Sequence, residues 1–288
     1  MENTAFPGNA AILNAMNKFL FLFAVSAILL LIYALAEARL MRVKNQNLYS
    51  KKLPPEFDGF RIAFVSDIHN ISGCGRRTRR MVRKINALEP DVVLLGGDYN
   101  EEKTRDLETC FRVLSEIKAP KYGVLGNHDY YYGEEVAKAF MKKYGIESIN
   151  NRSVWIRRGK NKIKIGGFDD WWLGYPYPES FFHDVHDNDF AVLVCHNPDC
   201  FEKIDISRVS LALAGHHHGG QCSFFGLWAP KIRSEYGMKY CGKTLVYPHT
   251  TVICSNGIGT SHIPVRFAAV PEINFITLHS EEKALGQY

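Results

Sequence analysis

The chain has 288 residues, 46% hydrophobic and 23% charged, with a formal net charge of +5. That composition excludes a disordered chain, and the length suits one large α/β domain plus an attachment segment rather than two full domains. The basic excess is too small to argue for nucleic acid, which is not expected, and suits an anionic substrate or a membrane surface equally; no protein partner is predicted.

After a short segment, 1–18, Phe19 to Ala36 is an uncharged apolar run bounded by Lys18 and Glu37. At about 1.5 Å per residue it reaches roughly 27 Å, close to a hydrocarbon core of about 30 Å. A buried helix of a soluble domain would carry a polar face, and this run offers only Ser26 and Tyr33. Residues 19–36 therefore read as a transmembrane helix. A cleaved signal peptide is the rival reading, because Ala34-Leu35-Ala36 resembles a small-residue cleavage site. The charges oppose export: Lys18 precedes the run, while Arg39, Arg42, Lys44, Lys51 and Lys52 follow it. The expectation is a single-pass protein of the cell inner membrane with its domain in the cytoplasm. Residues 37–59 read as a basic juxtamembrane linker ending in Leu53-Pro54-Pro55, which disfavours helix.

From 60 to 280 one domain is expected, with 281–288 as a tail. Arg61–Ser66, Asp91–Leu95 and Tyr122–Leu125 read as strands, and Arg77–Leu88, Thr104–Ile117 and Glu134–Tyr144 as helices. The second half changes character. Val154–Ile156, Lys162–Gly166, Phe190–Val194, Val209–Ala214, Thr244–Val246, Thr251–Cys254 and Ile273–Leu278 are strand-like, with few helices between them. Two β-sheets packed face to face and flanked by helices accommodate both halves, an α/β fold. The seven cysteines lack a C-x-x-C pair and read mostly as buried thiols, which fits a reducing compartment.

Metal-competent residues gather where these strands end. Arg61–Ser66 runs into Asp67-Ile68-His69, Asp91–Leu95 into Gly96-Gly97-Asp98, and the third strand into Gly126-Asn127-His128-Asp129. Phe190–Val194 ends in Cys195-His196, and Val209–Ala214 in Gly215-His216-His217-His218. Carboxyl ends of strands are where α/β sheets collect ligands. Imidazole with carboxylate and no thiolate suits Mn²⁺, Fe or Zn²⁺. A carboxylate shared by two ions about 3.5–4 Å apart lets one hydroxide bridge them and attack phosphorus in line. Each motif alone has a plainer reading: D-x-H occurs on many surfaces, Gly-Asp marks turns, and Asn-His-Asp can cap a helix. Their order and shared position at strand ends argue against all of those at once.

The series D-x-H, G-D, G-N-H-D, H and G-H-x-H resembles the calcineurin-like metallophosphoesterases, over nearly everything from Phe60 to Leu278. Gly167-Phe168-Asp169-Asp170, Gly219-Gly220-Gln221 and Ser255 to Ser261, with Pro264, Arg266, Pro271 and Glu272, resemble its bacterial membrane-associated branch. That branch holds phosphodiesterases and UDP-2,3-diacylglucosamine hydrolases of lipid A synthesis. The resemblance implies a four-layer αββα sandwich and two divalent metal ions, with Mn favoured. It assigns Asp67, His69 and His218 to the first metal, Asn127, His196 and His216 to the second, and Asp98 to the bridge. His128 would act at the leaving group, and Asp129 would either orient it or cap a helix. His217 sits at the variable position and reads as a non-ligand that could touch substrate.

Substrate hints are weaker. Arg76, Arg77 and Arg80 belong to a basic helix that is either a solvated face or a grip on a diphosphate or lipid headgroup. Trp171, Trp172, Tyr175, Tyr177, Phe181 and Phe182 form an aromatic loop, either a lid over core or a shelf for acyl chains. The function expected is hydrolysis of a phosphodiester or diphosphate bond in a phosphorylated, lipid-linked substrate such as UDP-2,3-diacylglucosamine. The alternatives are a broad phosphodiesterase acting on soluble substrates and a non-catalytic, membrane-bound metal scaffold.

Overall fold

A computed structural model describes residues 8–70, 75–101 and 107–281. α1 (Gly8–Glu37) leads through a short turn into β1 (Arg42–Ser50). Then come β2 (Arg61–Val65), α2 (Arg76–Leu88), β3 (Val92–Leu95), α3 (Leu107–Leu114), β4 (Lys121–Gly123), α4 (Asn127–Tyr130), α5 (Glu134–Lys143) and β5 (Glu147–Ser148). The second half supplies β6 (Arg152–Arg158), β7 (Asn161–Gly167), α6 (Glu179–Phe182), β8 (Ala191–Val194), β9 (Leu211–Ala214), β10 (Thr244–Val246), β11 (Thr251–Cys254) and β12 (Glu272–Ser280).

The strands form two six-stranded sheets, in the orders β1-β12-β2-β3-β4-β5 and β10-β11-β9-β8-β7-β6. β2 to β5 run parallel, as their helical crossovers require, and β12 returns antiparallel to β2. In the second sheet β7, β8, β9 and β11 run parallel, with β6 and β10 antiparallel at the two edges. Ile62, Phe64 and Leu94 of the first sheet meet Ile165, Val192 and Leu213 of the second in an apolar layer between them. The alternate residues Ala63, Val65, Val93 and Leu95 face Met81, Ile85 and Phe111 of the covering helices. Both strand faces are covered, so these strands are continuous apolar runs rather than alternating ones. Each fully buried Val, Leu, Ile or Phe contributes roughly 1.5–3 kcal/mol. On the outer face of the second sheet Leu193 and Ala212 pack with Phe181, Phe201 and Tyr240. The architecture is the expected one, two sheets flanked by helices.

One segment differs from expectation. The stretch 37–59 is no free linker: Arg42–Ser50 is a strand paired residue for residue with Glu272–Ser280, in parallel. Its sequence, RVKNQNLYS, buries only Leu48, so it carries no hydrophobic signature. What holds it is backbone pairing to an edge formed from the far end of the chain, reinforced by the 2.6 Å ion pair of Arg42 with buried Glu272. Polar and lysine-bearing side chains suit an edge strand.

The preceding helix is fixed to the domain as well. Glu37 is buried, and its carboxylate accepts the backbone N–H groups of Ala268 (3.1 Å) and Ala269 (2.7 Å). The N–H of Arg266 donates to the carbonyl of Ala34 at 3.0 Å. Ala11 to Glu37 is long and apolar enough to cross a membrane, a test that a signal sequence near the N-terminus also passes. The helix expected over Thr104–Ile117 is described as Leu107–Leu114. Its expected start, like Cys74 and the tail from 282 onward, lies outside the described residues. The six described cysteines are free thiols, five of them buried.

Candidate metal centre

The motif residues follow the carboxyl ends of strands, in loops or, for Asn127, His128 and Asp129, in the short helix α4, and the two sheets bring those ends together. Five of these residues adopt left-handed backbone: Asp67 (φ 52°), His69 (φ 42°), Asp98 (φ 54°), His216 (φ 68°) and His218 (φ 51°). For residues with a Cβ that conformation is disfavoured, and it persists where surrounding contacts fix it, typically at functional sites. The contacts are present. Asp67 N–H donates to Gly97 carbonyl (3.0 Å) and His69 N–H to Asp98 carbonyl (3.1 Å), stitching the first two loops together. His216 N–H donates to the Asp67 carboxylate at 3.0 Å, stitching the two sheets. A Cβ at Gly126 would overlap the Asp98 carboxylate, and one at Gly215 would overlap Asp67, so only glycine lets these loops close.

Three groups of donor atoms result, each with all its atoms within 4.8 Å of one another: Asp67, His69 and His218; His69, Asp98 and His128; and Asp98, His196 and His216. The Asp98 Oδ1 accepts the N–H of His128 at 2.8 Å. Its Oδ2 lies 3.5 Å from His69 Nε2 and 3.2 Å from His196 Nε2, between the two ends of the site. His69 Nε2 and His218 Nε2 face each other at 3.0 Å.

These residues fit divalent cations. His196 donates its Nδ1–H to the Gly96 carbonyl at 2.7 Å, which leaves the Nε2 lone pair aimed into the site. Asn127 Oδ1 is buried with no hydrogen-bond partner. Two fully buried carboxylates, clustered imidazole nitrogens and an amide oxygen form a donor set that suits a hard or borderline cation. Burial pushes the His216 and His218 imidazoles well below the ordinary histidine range, whereas the neighbouring carboxylates outweigh burial at His69 and His196 and raise them. Burial opposes ionisation of Asp98 too, but the neighbouring imidazoles, His196 foremost, outweigh it and hold the carboxyl well below its usual range.

The remaining expected residues divide. His128 lines the cavity beside the site, its ring edge-on to His69 with centroids 4.7 Å apart. Asp129 is spoken for by backbone: its carboxylate accepts the N–H groups of Asp98 (2.8 Å), Tyr99 (3.0 Å) and Gly126 (2.9 Å). Of its two expected roles the geometry favours the cap, and that cap also positions Asp98. Burial and the Asp98 charge push Asp129 up to about 7, against the pull of its N–H donors. His217 is buried in the cavity wall 4.0 Å from Asp199, and burial takes its imidazole down to about 4.

The arginines fall elsewhere. Arg77 donates to the Ile258 carbonyl at 3.4 Å and Arg80 to the Arg39 carbonyl, while Arg76 is exposed on α2. None of the three lines the cavity. The aromatic loop splits: Phe181 enters the core, Trp172 stands edge-on against His216 at 4.3 Å, and Tyr175 and Tyr177 face outward.

Two residues to which the sequence assigns no role lie against the site histidines. Glu101 is buried and its carboxylate lies 2.7 Å from His69 Nδ1, against the ring nitrogen turned away from the site. Its signal was an acid three residues after Asp98 on the same strand-end loop. Arg266 was noticed only as part of a late motif. It is fully buried, with Nη2 3.3 Å from His218 Nδ1 and Nη1 donating to the Ala269 carbonyl at 2.7 Å.

Comparison with known proteins agrees with this geometry. The family model described as Calcineurin-like phosphoesterase matches residues 60–220. The chain is 31% identical to the metallophosphoesterase YkuE of Bacillus subtilis, covering 85% of this chain and 87% of that one. It is 29% identical to a metallophosphoesterase of Aquifex aeolicus, over 88% and 97%. A Danio rerio protein described as a transmembrane protein with metallophosphoesterase domain is 29% identical, over 88% of this chain and 61% of its own length. The chain belongs to the calcineurin-like phosphoesterase family. As a phosphoesterase of that family it is a metal-dependent phosphoric ester hydrolase, and its clustered aspartates and histidines form the candidate dimetal site.

Proposed function

We propose that this phosphoesterase hydrolyses a phosphodiester or diphosphate bond in an amphiphilic substrate held at a membrane, with UDP-2,3-diacylglucosamine as the specific candidate. The observation that carries the hydrolytic part is Asp98, whose Oδ2 faces donor groups on both sides while Oδ1 is pinned by His128 N–H. Asp67, His69 and His218 would hold one cation, Asn127, His196 and His216 the other, and Asp98 both. Mn²⁺ is the first to test, and Fe and Zn²⁺ suit the same donors. When bound, two such ions supply Lewis-acid activation of the phosphoryl oxygen and of water.

The chain's own residues do the rest. A cavity of about 280 Å³, lined by His128, His216 and His217, seats the ester. His128, on the cavity wall, would give a proton to the departing oxygen, and His217 would touch substrate rather than cation. Asp129 and Glu101 hold Asp98 and His69 in place. The membrane part rests on the apolar helix and on relatives described as transmembrane proteins. The excess of basic residues after the helix supports a domain on the cytoplasmic side of the inner membrane.

A second reading, a broad phosphodiesterase acting on soluble substrates, is favoured by cavity size. About 280 Å³ is at the low end for a drug-sized ligand. Acyl chains would have to stay outside it. The deciding experiment loads the full chain in detergent with Mn²⁺ and assays bis(4-nitrophenyl) phosphate beside dispersed UDP-2,3-diacylglucosamine, with Asp98→Asn and His128→Ala as controls. Strong preference for the lipid supports the first reading, and turnover of the small diester alone leaves the second. Bound metal with no turnover of either substrate removes both. Any shortened chain must begin before Arg42, since a later start removes β1.

A further inference from the structure

The tight loop after the histidine motif carries four large apolar side chains into the open: Phe224 (58% exposed), Phe225 (71%), Leu227 (76%) and Trp228 (62%). Single exposed apolar residues are ordinary, but four on the five-residue loop Phe224–Trp228 are not. The loop is internally built. Phe224 N–H donates to Trp228 carbonyl at 2.6 Å, Leu227 N–H to Phe224 carbonyl at 3.0 Å, and Gly226 N–H to Ser223 Oγ at 2.8 Å. With its backbone bonded internally, the loop holds its side chains outward rather than folding them in.

Its position follows from a chain of ring contacts. Phe225 lies 6.5 Å from Phe267, and Phe267 stands edge-on to Tyr33 at 5.8 Å. Tyr33 belongs to α1, inside the apolar run 19–36 and one turn before the Glu37 carboxylate that pins the helix to Ala268 and Ala269. The loop base is tied to the same segment, Ser223 N–H donating to the Phe267 carbonyl at 2.8 Å and Phe267 N–H to Gln221 at 2.9 Å. Loop and helix are thus joined through Phe267.

We propose that the loop Phe224–Trp228 is a membrane-inserting tip that seats the mouth of the catalytic cavity on the lipid surface. This rests on reading α1 as a membrane span. If α1 crosses the bilayer, Tyr33 lies at its boundary, where aromatic side chains collect, and the neighbouring loop enters the same layer. Charge agrees: residues 221–234 contain no acid, and Lys231 and Arg233 are exposed beside the loop, which suits anionic headgroups. Cys222 and Pro230, at the two ends of the loop, both line the cavity that holds His216 to His218. A substrate whose phosphate reaches the donor cluster through that mouth can leave its acyl chains in the bilayer, which removes the size objection to a lipid substrate. A partner protein would compete for this face with the bilayer around α1.

The test places the full chain in anionic phosphatidylglycerol–phosphatidylcholine vesicles, with part of the phosphatidylcholine brominated near the headgroup end of its acyl chains. Tryptophan emission is compared between the natural protein and Trp228→Phe, whose difference isolates Trp228 from the other three tryptophans. The expected result is that the difference emission loses most of its intensity to brominated lipid and little to iodide in the water. Quenching by iodide and not by lipid puts the loop in water and overturns the proposal. Protection from both means that a second copy or another protein covers the loop, and overturns it equally. Release of the chain from vesicles by alkaline carbonate removes the membrane-span reading and this proposal with it. Retention without lipid quenching removes the proposal alone.

Discussion

The loops that carry the metal-competent residues and the junction between α1 and the domain are built on opposite plans. The loops concentrate rare residue choices: buried aspartates and histidines, five of them at positive φ, with glycines where another backbone passes. The junction uses common residues, Ala34, Glu37, Ala268 and Ala269, and is held by one carboxylate and a few backbone hydrogen bonds. Chemistry demands particular side chains, whereas anchoring demands only that donors and acceptors meet. Yet the two regions touch, because Arg266 bonds the Ala269 carbonyl beside Glu37 and also lies against His218.

The sharpest way to break this comparison is Asp98→Asn. If Oδ2 serves both ends of the site, turnover falls below detection and metal content, measured by plasma mass spectrometry, drops at both positions. Loss of a single ion would mean that Asp98 is not shared. Next in size is His128→Ala, expected to lower kcat by about 10²–10⁴-fold, the usual worth of a positioned proton donor, while metal content is unchanged. Metal loss in that variant would move His128 among the ligands.

Glu101→Gln should act through His69, lowering metal affinity or activity by about 10–100-fold. Isothermal titration with Mn²⁺ measures it, and an unchanged affinity and rate would mean that the 2.7 Å contact is incidental. At the junction the effect should be on stability instead. Glu37→Ala leaves the Ala268 and Ala269 N–H groups without their acceptor, at a cost of about 1–3 kcal/mol if they stay buried. Thermal unfolding of the detergent-solubilised chain reads that cost. A fall in activity well beyond the stability loss would show that the junction braces the site through Arg266.

Much of this protein was legible in its residues. The apolar run 19–36, the buried strands from Arg61 onward and the strand-end motifs each announce themselves, because period and residue type follow from burial and from ligand chemistry. The aromatic loop was half legible: its composition stood out, but whether Trp172 faced solvent, core or His216 depended on a neighbour from a different strand. The arginines of α2 left two readings open for the same reason, since the carbonyl partners of Arg80 and Arg77, Arg39 and Ile258, are remote in sequence.

What the sequence determined alone was the inventory: which residues could bind metal, where strands end, and that one segment is apolar enough to span a bilayer. Only the tertiary structure decided which of them meet. It made Arg42–Ser50 a strand, turned Asp129 to the backbone of Asp98, put Glu101 behind His69 and set the loop Phe224–Trp228 beside Tyr33. The physical reason is range. Periodicity and ligand type are local properties of a chain, whereas edge pairing, carboxylate orientation and the neighbours of a loop depend on segments up to about 230 residues away, which only folding brings together.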